Sequence, residues 1–142
     1  MTIAVEFTHV RLLVDNFAEC FRFYEEVLEI PVRFGDPSGP YAEFAAGGAF
    51  IGLYQRRLMA EIVGAAARPP RTDVQDSLAL TFEVLSVDET YERLRERGVS
   101  FVTAPGARPA WHLRSAHFRD PAGNLLEIYE GLPLAETTEV PP

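Results

Sequence analysis

The stretch Asp120-Pro121-Ala122-Gly123-Asn124-Leu125-Leu126-Glu127-Ile128-Tyr129 decides the fold of this chain. It predicts a tight turn followed by a strand, because Pro121 presets φ, Gly123 tolerates positive φ, and Asp120 can accept hydrogen bonds from amides ahead of it. After the turn, apolar residues alternate with Glu127 and Tyr129, so the polar face of the strand carries a carboxylate beside a phenol. An inward-facing carboxylate must either be paired or take part in chemistry, because an unpaired buried charge is costly.

This segment resembles the closing strand of the glyoxalase/bleomycin-resistance/dioxygenase superfamily, the vicinal oxygen chelate fold. In that family a turn of the type D-P-x-G-N precedes a strand whose Glu binds a metal. Near the N-terminus, Thr8-His9-Val10-Arg11-Leu12-Leu13-Val14-Asp15-Asn16 and Phe23-Tyr24-Glu25-Glu26-Val27-Leu28 resemble the family's first strand, whose His is a metal ligand, and its first helix. Glu29 stands where the family usually has Gly. The resemblance extends from Phe7 to Tyr129; it implies the fold but not the activity, because the superfamily hosts many chemistries.

Composition narrows the class of protein. A chain of 142 residues is long enough for one domain or two small modules that share a core. The net charge of −8 and the lack of a basic stripe argue against nucleic acid as a partner. The same charge would attract a cationic small molecule, or it only keeps the protein in solution. Cys20 is the single cysteine and falls on the apolar stripe of a predicted helix, which indicates a small core residue.

The expected location is the cytoplasm, without a membrane association. No apolar run is long enough to cross a bilayer, and the N-terminus lacks the layout of a secretory signal. A lone cysteine also permits no internal disulfide, which fits a reducing compartment.

The same pattern of strand, helix and three strands is written twice. It predicts an α+β fold in which 142 residues form a single domain of the resembled family, built from a first βαβββ module at 6–54 and a second at 77–130. Asn16 and Ser86 are the expected helix N-caps. The resemblance implies that the two modules pair edge to edge and form a cleft between curved mixed sheets.

A linker at 55–76 separates the predicted modules, and a tail at 131–142 follows them. Within the linker, Leu58, Met59, Ile62 and Val63 indicate one short amphipathic helix. We expect a homodimer, because half-open sheets leave an apolar edge and face that association would cover. The linker either passes between subunits or forms a surface loop.

The metal set that the resemblance implies is incomplete. Four strands of the metal-bearing relatives each donate one ligand, and His9 and Glu127 match two of these positions. The other two are Gly52 and Ala79, which carry no donor atom. We therefore expect no cofactor and no stoichiometric metal. The alternative is a divalent metal held by His9, Glu127 and His117, the two-His-one-carboxylate set of non-haem iron enzymes.

Strand alternation predicts which side chains line the cleft. The expected ligand-binding residues are Arg11, Phe50, Gly52, Tyr54, Ala79, Thr81, Trp111, Ser115, His117 and Tyr129. Gly52 and Ala79 are expected to enlarge the pocket. Trp111 is expected to be half-buried packing, with a stacking platform as the alternative. His9 is expected to hydrogen-bond to Glu127, and Arg11 to neutralise Glu127 or Glu83.

Three functions remain open from sequence. The first is a protein that binds a bulky, partly aromatic organic molecule, similar to the bleomycin-resistance branch and sequestering an antibiotic or another ligand. The second is a metal-dependent lyase, isomerase, thiol transferase or ring-cleaving dioxygenase that uses His9 and Glu127. The third is a metal-free enzyme in which His9, His117 or Glu127 serves as acid and base.

Overall fold

Two four-stranded sheets form the framework of this computed structural model, which describes residues 2–132. The first half contains β1 (His9–Val14), α1 (Phe17–Arg22), a π-helical turn (Phe23–Val27), β2 (Val32–Phe34), β3 (Tyr41–Ala45), β4 (Phe50–Gln55) and α2 (Arg56–Ile62). The second contains β5 (Leu80–Glu83), α3 (Val87–Glu96), β6 (Phe101–Arg108), a 3₁₀ turn (Pro109–Trp111), β7 (Leu113–Arg119) and β8 (Leu125–Gly131). The predicted tail lies outside the described residues from position 133 onward.

The chain divides into two compact units, with the boundary between Asp73 and Val74. The first sheet has the order β1-β4-β3-β2 and the second the order β5-β8-β7-β6. In each sheet the first and fourth strands of the half pair in parallel, and the other neighbours pair antiparallel. This confirms the prediction of an α+β fold with two βαβββ modules. No helix among residues 2–132 is long and apolar enough to cross a membrane.

Each sheet buries one face under the helix of its own half. In the first half, α1 packs on β4, and Cys20 is fully buried, as the sequence predicted. In the second half, Val87 and Leu94 of α3 are buried with alternate residues of β7 and β8. Because side chains alternate along a strand, the remaining residues of each sheet share the opposite face, where the polar candidates lie.

The two helix starts differ from each other. Ser86 Oγ accepts a hydrogen bond of 3.1 Å from the Glu89 amide, which confirms the predicted cap of α3. Asn16 occupies the predicted N-cap position of α1, but its side chain makes no capping hydrogen bond: its amide donates to the Glu19 carboxylate at 3.0 Å. Beyond the π-helical turn, Glu29 has a φ of 55°, the left-handed conformation that favours glycine.

Most of the Gly-Pro cluster at 105–109 lies within a strand. Strand β6 continues through Pro105 and Gly106 to Arg108, with register shifts against β7 that absorb the irregular residues. The connection to β7 is the shorter 3₁₀ turn Pro109–Trp111, and His112 follows this turn with a φ of 51°. The short helix expected around Leu58–Val63 is present as α2.

Candidate functional site

The polar face of the first sheet carries side chains in three rows, each row made of residues that lie opposite one another on neighbouring strands. Register pairs His9 with Phe50 in one row, Arg11 with Gly52 in the next, and Leu13 with Tyr54 in the third. Strand β3 extends all three rows with Ala45 opposite Phe50, Glu43 opposite Gly52 and Tyr41 opposite Tyr54. The prediction that His9, Arg11, Phe50, Gly52 and Tyr54 share one face is therefore confirmed within this sheet.

Glu43 is the electrostatic centre of this face. Its Oε2 accepts a hydrogen bond of 2.5 Å from the Tyr41 hydroxyl and lies 2.9 Å from His9 Nε2. Its Oε1 lies 3.7 Å from Nε of Arg33. The Tyr41 hydrogen bond, helped by the charges of His9 and Arg33, lowers the pKa of Glu43 against the opposing effect of burial. The pKa of Tyr41 is raised by burial and by this bond to Glu43, so the phenol remains a donor at neutral pH.

Gly52 makes room for two of its neighbours. A Cβ at this position would lie 3.0 Å from Arg11 Cγ and 3.1 Å from the Tyr41 hydroxyl. The space is therefore filled by Arg11 and Tyr41, and the expectation that Gly52 enlarges the pocket is wrong. The missing side chain instead allows the phenol of β3 to reach across β4 towards the stem of Arg11.

An open pocket of about 320 Å³ lies beside this arrangement. Arg11, Tyr41, Tyr54, Met59 and Ile62 line it. The Arg11 guanidinium carbon is 5.4 Å from the centre of the Tyr41 ring, and the two tyrosine rings meet edge to face at 5.9 Å. Helix α2 carries Met59 and Ile62 three residues apart on one of its sides, and these apolar groups form one wall of the pocket.

The polar face of the second sheet carries a different cluster. His117 Nε2 lies 2.8 Å from Glu127 Oε1, and His117 Nδ1 lies 2.8 Å from the Thr103 hydroxyl. That hydroxyl also accepts a 3.0 Å hydrogen bond from the His117 backbone amide. Both ring nitrogens of His117 are thus engaged by neighbours on β6 and β8. The turn before β8 is held as predicted, since Asp120 accepts the backbone amides of Ala122 and Asn124 at 2.9 Å.

A Thr–His–Glu chain occurs in both halves. In the first half, His9 Nδ1 lies 2.7 Å from the Thr8 hydroxyl while Nε2 faces Glu43. Glu127 therefore pairs with His117, and His9 with Glu43, so the expected hydrogen bond between His9 and Glu127 is wrong. Each histidine has a carboxylate partner within its own half.

The two Thr–His–Glu hydrogen-bond chains use different strands, because His9 lies on the first strand of its half and His117 on the third strand of its half. Glu43 on β3 lies opposite Gly52 on β4, and His117 on β7 lies opposite Glu127 on β8. In the first half the carboxylate is absent from the fourth strand and present on the third. In the second half Ala79 precedes β5, whereas a histidine stands on β7.

The other predicted ligand-binding residues have diverse environments. Ser115 is fully buried, and its hydroxyl has no hydrogen-bond partner among residues 2–132. It lies opposite Tyr129, while Thr81 lies opposite Glu127. The side chain of Trp111 is 67% exposed, so the expectation of half-buried packing is wrong. The neighbour of Arg11 is Tyr41, with Glu43 as the carboxylate that acts on its charge, in place of Glu127 or Glu83.

The site residues that the sequence pattern did not predict are Tyr41, Glu43, Met59, Ile62 and Thr103. The signal for the first two is present in β3, where Tyr41 and Glu43 alternate with buried residues. Their importance comes from cross-strand pairing, which one strand alone does not reveal. Met59 and Ile62 belonged to the helix predicted in the linker, whose position against the first sheet could not be read from its periodicity.

The sequence matches the Glyoxalase/Bleomycin resistance protein/Dioxygenase superfamily over residues 6–128. The chain belongs to this superfamily. Its proteins often use a divalent metal. The four-ligand set of the family does not fit here, because Gly52 and Ala79 offer no donor and Arg11 and Tyr41 fill the space beside Gly52. Within residues 2–132, no three His, Cys, Asp or Glu side chains are grouped so that they could hold a metal ion.

Two curated proteins and two solved structures illustrate the relationships within the superfamily. The chain is 41% identical over 123 residues to the uncharacterized protein YraH of Bacillus subtilis, covering 87% of this chain and 96% of that protein. It is 29% identical over 124 residues to the metallothiol transferase FosB of Shouchella clausii, covering 87% and 78%.

A glyoxalase/bleomycin resistance protein/dioxygenase from Nocardioides superimposes with a TM-score of 0.78 at 24% identity, covering 98% of this chain and 91% of that one. A lactoylglutathione lyase from Agrobacterium tumefaciens gives a TM-score of 0.68 at 22% identity, covering 92% and 96%. At these identities the two structures support the fold alone.

Proposed function

We propose that this protein binds a bulky, partly aromatic organic molecule and holds no stoichiometric metal. The observation that carries the proposal is the pocket between Arg11, Tyr41 and Tyr54 on the sheet and Met59 and Ile62 on α2. Apolar and aromatic walls with a few fixed polar groups are typical of small-molecule sites. Proteins of the superfamily often bind small molecules and form dimers, and we extend both properties to this chain as proposals.

A matched pair of substitutions at the C-terminal end of α2 tests the pocket. Ile62 lines it and is 69% exposed, whereas the adjacent Val63 is 65% exposed and is not part of the lining. Neither side chain supports the core, so Ile62→Ser and Val63→Ser should both fold. The uncharged fluorescent probe N-phenyl-1-naphthylamine should bind the parent saturably. Ile62→Ser should weaken this binding about fivefold through lost apolar contact, roughly 1 kcal/mol, with Val63→Ser within about twofold. Equal effects of the two substitutions, or no saturable binding, would contradict the proposal.

A metal-dependent enzyme is the competing proposal, and the relationship to a metallothiol transferase supports it. His9 and Glu127 remain at two of the four positions that the family uses. Metal analysis of tag-free protein, purified without chelator, separates the two proposals. We expect well below one equivalent of divalent metal per chain. About one equivalent, together with an activity that a chelator removes, would favour the enzyme.

Metal-free acid–base chemistry at His117 is a second candidate function. The observation in its favour is the chain from Thr103 through the ring to Glu127, which has the spacing of a proton-transfer relay. The side chains of His117 and Glu127 are 20% and 13% exposed, so solvent reaches them only in part. A hydrolysis or isomerisation activity that His117→Ala removes, and that persists after metal removal, would establish this candidate.

A further inference from the structure

Arg11 differs from two other arginines of the first half, Arg33 and Arg56, in what its guanidinium approaches. Arg33 lies 3.7 Å from Glu43, and Arg56 lies 3.1 Å from Asp15. Arg11 instead approaches the neutral phenol of Tyr41, and no carboxylate within residues 2–132 lies at ion-pair distance from it. Its side chain is exposed and lines the pocket, so a positive charge is available to a ligand there.

The nearest acidic group already has three partners. Glu43 interacts with Tyr41, His9 and Arg33, so its negative charge is divided among donors on three strands. The hydrogen bond to Tyr41 raises the pKa of Arg11 and keeps the guanidinium charged, with smaller support from the charge of Glu43. The site therefore contains a charged guanidinium, that of Arg11, while the neighbouring carboxylate of Glu43 interacts with other donors.

The remaining lining is apolar or aromatic. Tyr54, Met59 and Ile62 surround the space next to the guanidinium, and Ile62 exposes most of its surface. An apolar ligand body would cover that surface, while a carboxylate would match the fork of donors on Arg11. We propose, building on the proposed function, that the ligand is an aromatic or similarly bulky carboxylic acid, with its carboxylate on Arg11 and its body against Tyr54, Met59 and Ile62.

The proposed preference for an anion is opposite to what the net charge of the whole chain would favour. The net charge of −8 attracts cations at long range, whereas the pocket presents a guanidinium at contact distance. Salt screens exposed charges beyond about 8 Å at physiological ionic strength. The local charge should therefore determine selectivity once the ligand is bound.

Calorimetry with three compounds of one shape tests the inference: 2-naphthoate, 2-naphthamide and 2-(aminomethyl)naphthalene, which are anionic, neutral and cationic at pH 7. The parent should bind 2-naphthoate about tenfold more tightly than the amide, the size expected for a charged hydrogen bond. Arg11→Gln should reduce the ratio of the two affinities from about tenfold to about one, whatever its effect on the amide alone. Arg11→Lys, which keeps the charge but not the fork, should retain part of it. Arg22→Gln changes the net charge equally at an exposed position of α1 and should have no effect.

The outcomes separate this inference from the proposed function. Equal binding of the anion and the amide, tighter binding of the amine, or an unchanged preference in Arg11→Gln overturns the inference and leaves small-molecule binding intact. If none of the three compounds binds at millimolar concentration, and N-phenyl-1-naphthylamine also fails, the proposed function and the inference both fall. Circular dichroism of each variant confirms that altered binding does not come from unfolding.

Discussion

The Tyr41 hydroxyl lies 3.1 Å from the position that a Cβ would take at Gly52. This close approach links the glycine at a position where the family usually has a metal ligand to the phenol that lines the pocket. The loss of a donor and the gain of a pocket wall are therefore two consequences of one residue.

Gly52→Ala should weaken ligand binding while the fold persists. The new methyl group would meet Tyr41 and Arg11 at 3.0–3.1 Å, so both side chains must shift. Moving them off their preferred rotamers costs about 1 kcal/mol, or roughly a fivefold loss of affinity for 2-naphthoate. Gly48→Ala is the control, because no atom lies within 4 Å of its added Cβ. Unchanged affinity in Gly52→Ala would show that the position of Tyr41 does not matter for binding.

Tyr41→Phe should destabilise the protein in a pH-dependent manner. The Tyr41 hydrogen bond is the largest cause of the lowered pKa of Glu43, whose ordinary value is 4.5. A carboxyl group with a lowered folded-state pKa contributes stability above its unfolded value, and this contribution is lost as the pH falls through the folded value. The free energy of unfolding should fall by about 1–2 kcal/mol at pH 7 and by clearly less at pH 3.

Urea unfolding of parent and variant at the two pH values measures this difference. Tyr54→Phe is the control, because it removes a phenol hydroxyl from the same face without touching the Tyr41–Glu43 bond. The account of Glu43 is wrong if the loss in Tyr41→Phe is as large at pH 3 as at pH 7.

His9 and His117 should both carry the proton on Nε2 when neutral. In each ring, Nε2 faces an acceptor carboxylate and Nδ1 faces a threonine hydroxyl that can donate. Thr103→Val removes the donor to His117 and the acceptor of its backbone amide, so the Nδ1–H tautomer should increase. The unfolding free energy should also fall by about 1–2 kcal/mol. Long-range ¹H–¹⁵N spectra identify the tautomers.

Thr8→Val is the matched control in the first half and should alter only His9. A parent protein in which His117 already carries its proton on Nδ1 would contradict the proposed hydrogen-bond chain.

Glu29→Gly should stabilise the protein. Glu29 has a φ of 55°, and a left-handed conformation costs a residue with a Cβ about 1–2 kcal/mol relative to glycine. Loss of the interactions of the Glu29 side chain offsets part of this gain. We expect a net increase of about 0.5–1 kcal/mol in the free energy of unfolding, measured with urea. Glu25→Gly, in the π-helical turn, should instead destabilise. A decrease in both variants would refute the strain at position 29.

The sequence was sufficient for the fold and for the residues that β1 and β4 place on one face. Local sequence patterns determine the turn at Asp120 and the cap at Ser86. The alternation of residues along β1 and β4 is also a local pattern, and it places Arg11 and Tyr54 on the same face. The pairing of Glu43 with His9 is not local, because it depends on which strands become neighbours in the sheet. For that reason the carboxylate partner of His9 was assigned to the wrong half of the chain.

The sequence also could not predict the volume of the pocket. A small residue creates space only if its neighbours leave the space empty, and at Gly52 two long side chains occupy it. The prediction that Trp111 is half-buried failed for a related reason, since a turn of three residues holds its side chain away from the core. The prediction that His9 and Glu127 face one common cleft stays a prediction.

Methyl NMR of Met59 tests the central claim most directly. The chain has two methionines, Met1 and Met59, and Met59 lines the pocket. Protein labelled with ¹³C at the methionine methyl groups should therefore give two assignable signals, with Met59→Leu identifying one of them. During titration with 2-naphthoate, the Met59 signal should move saturably under the ring current of the ligand. A Met59 signal that remains unmoved at millimolar 2-naphthoate and 2-naphthamide would contradict ligand binding in this pocket.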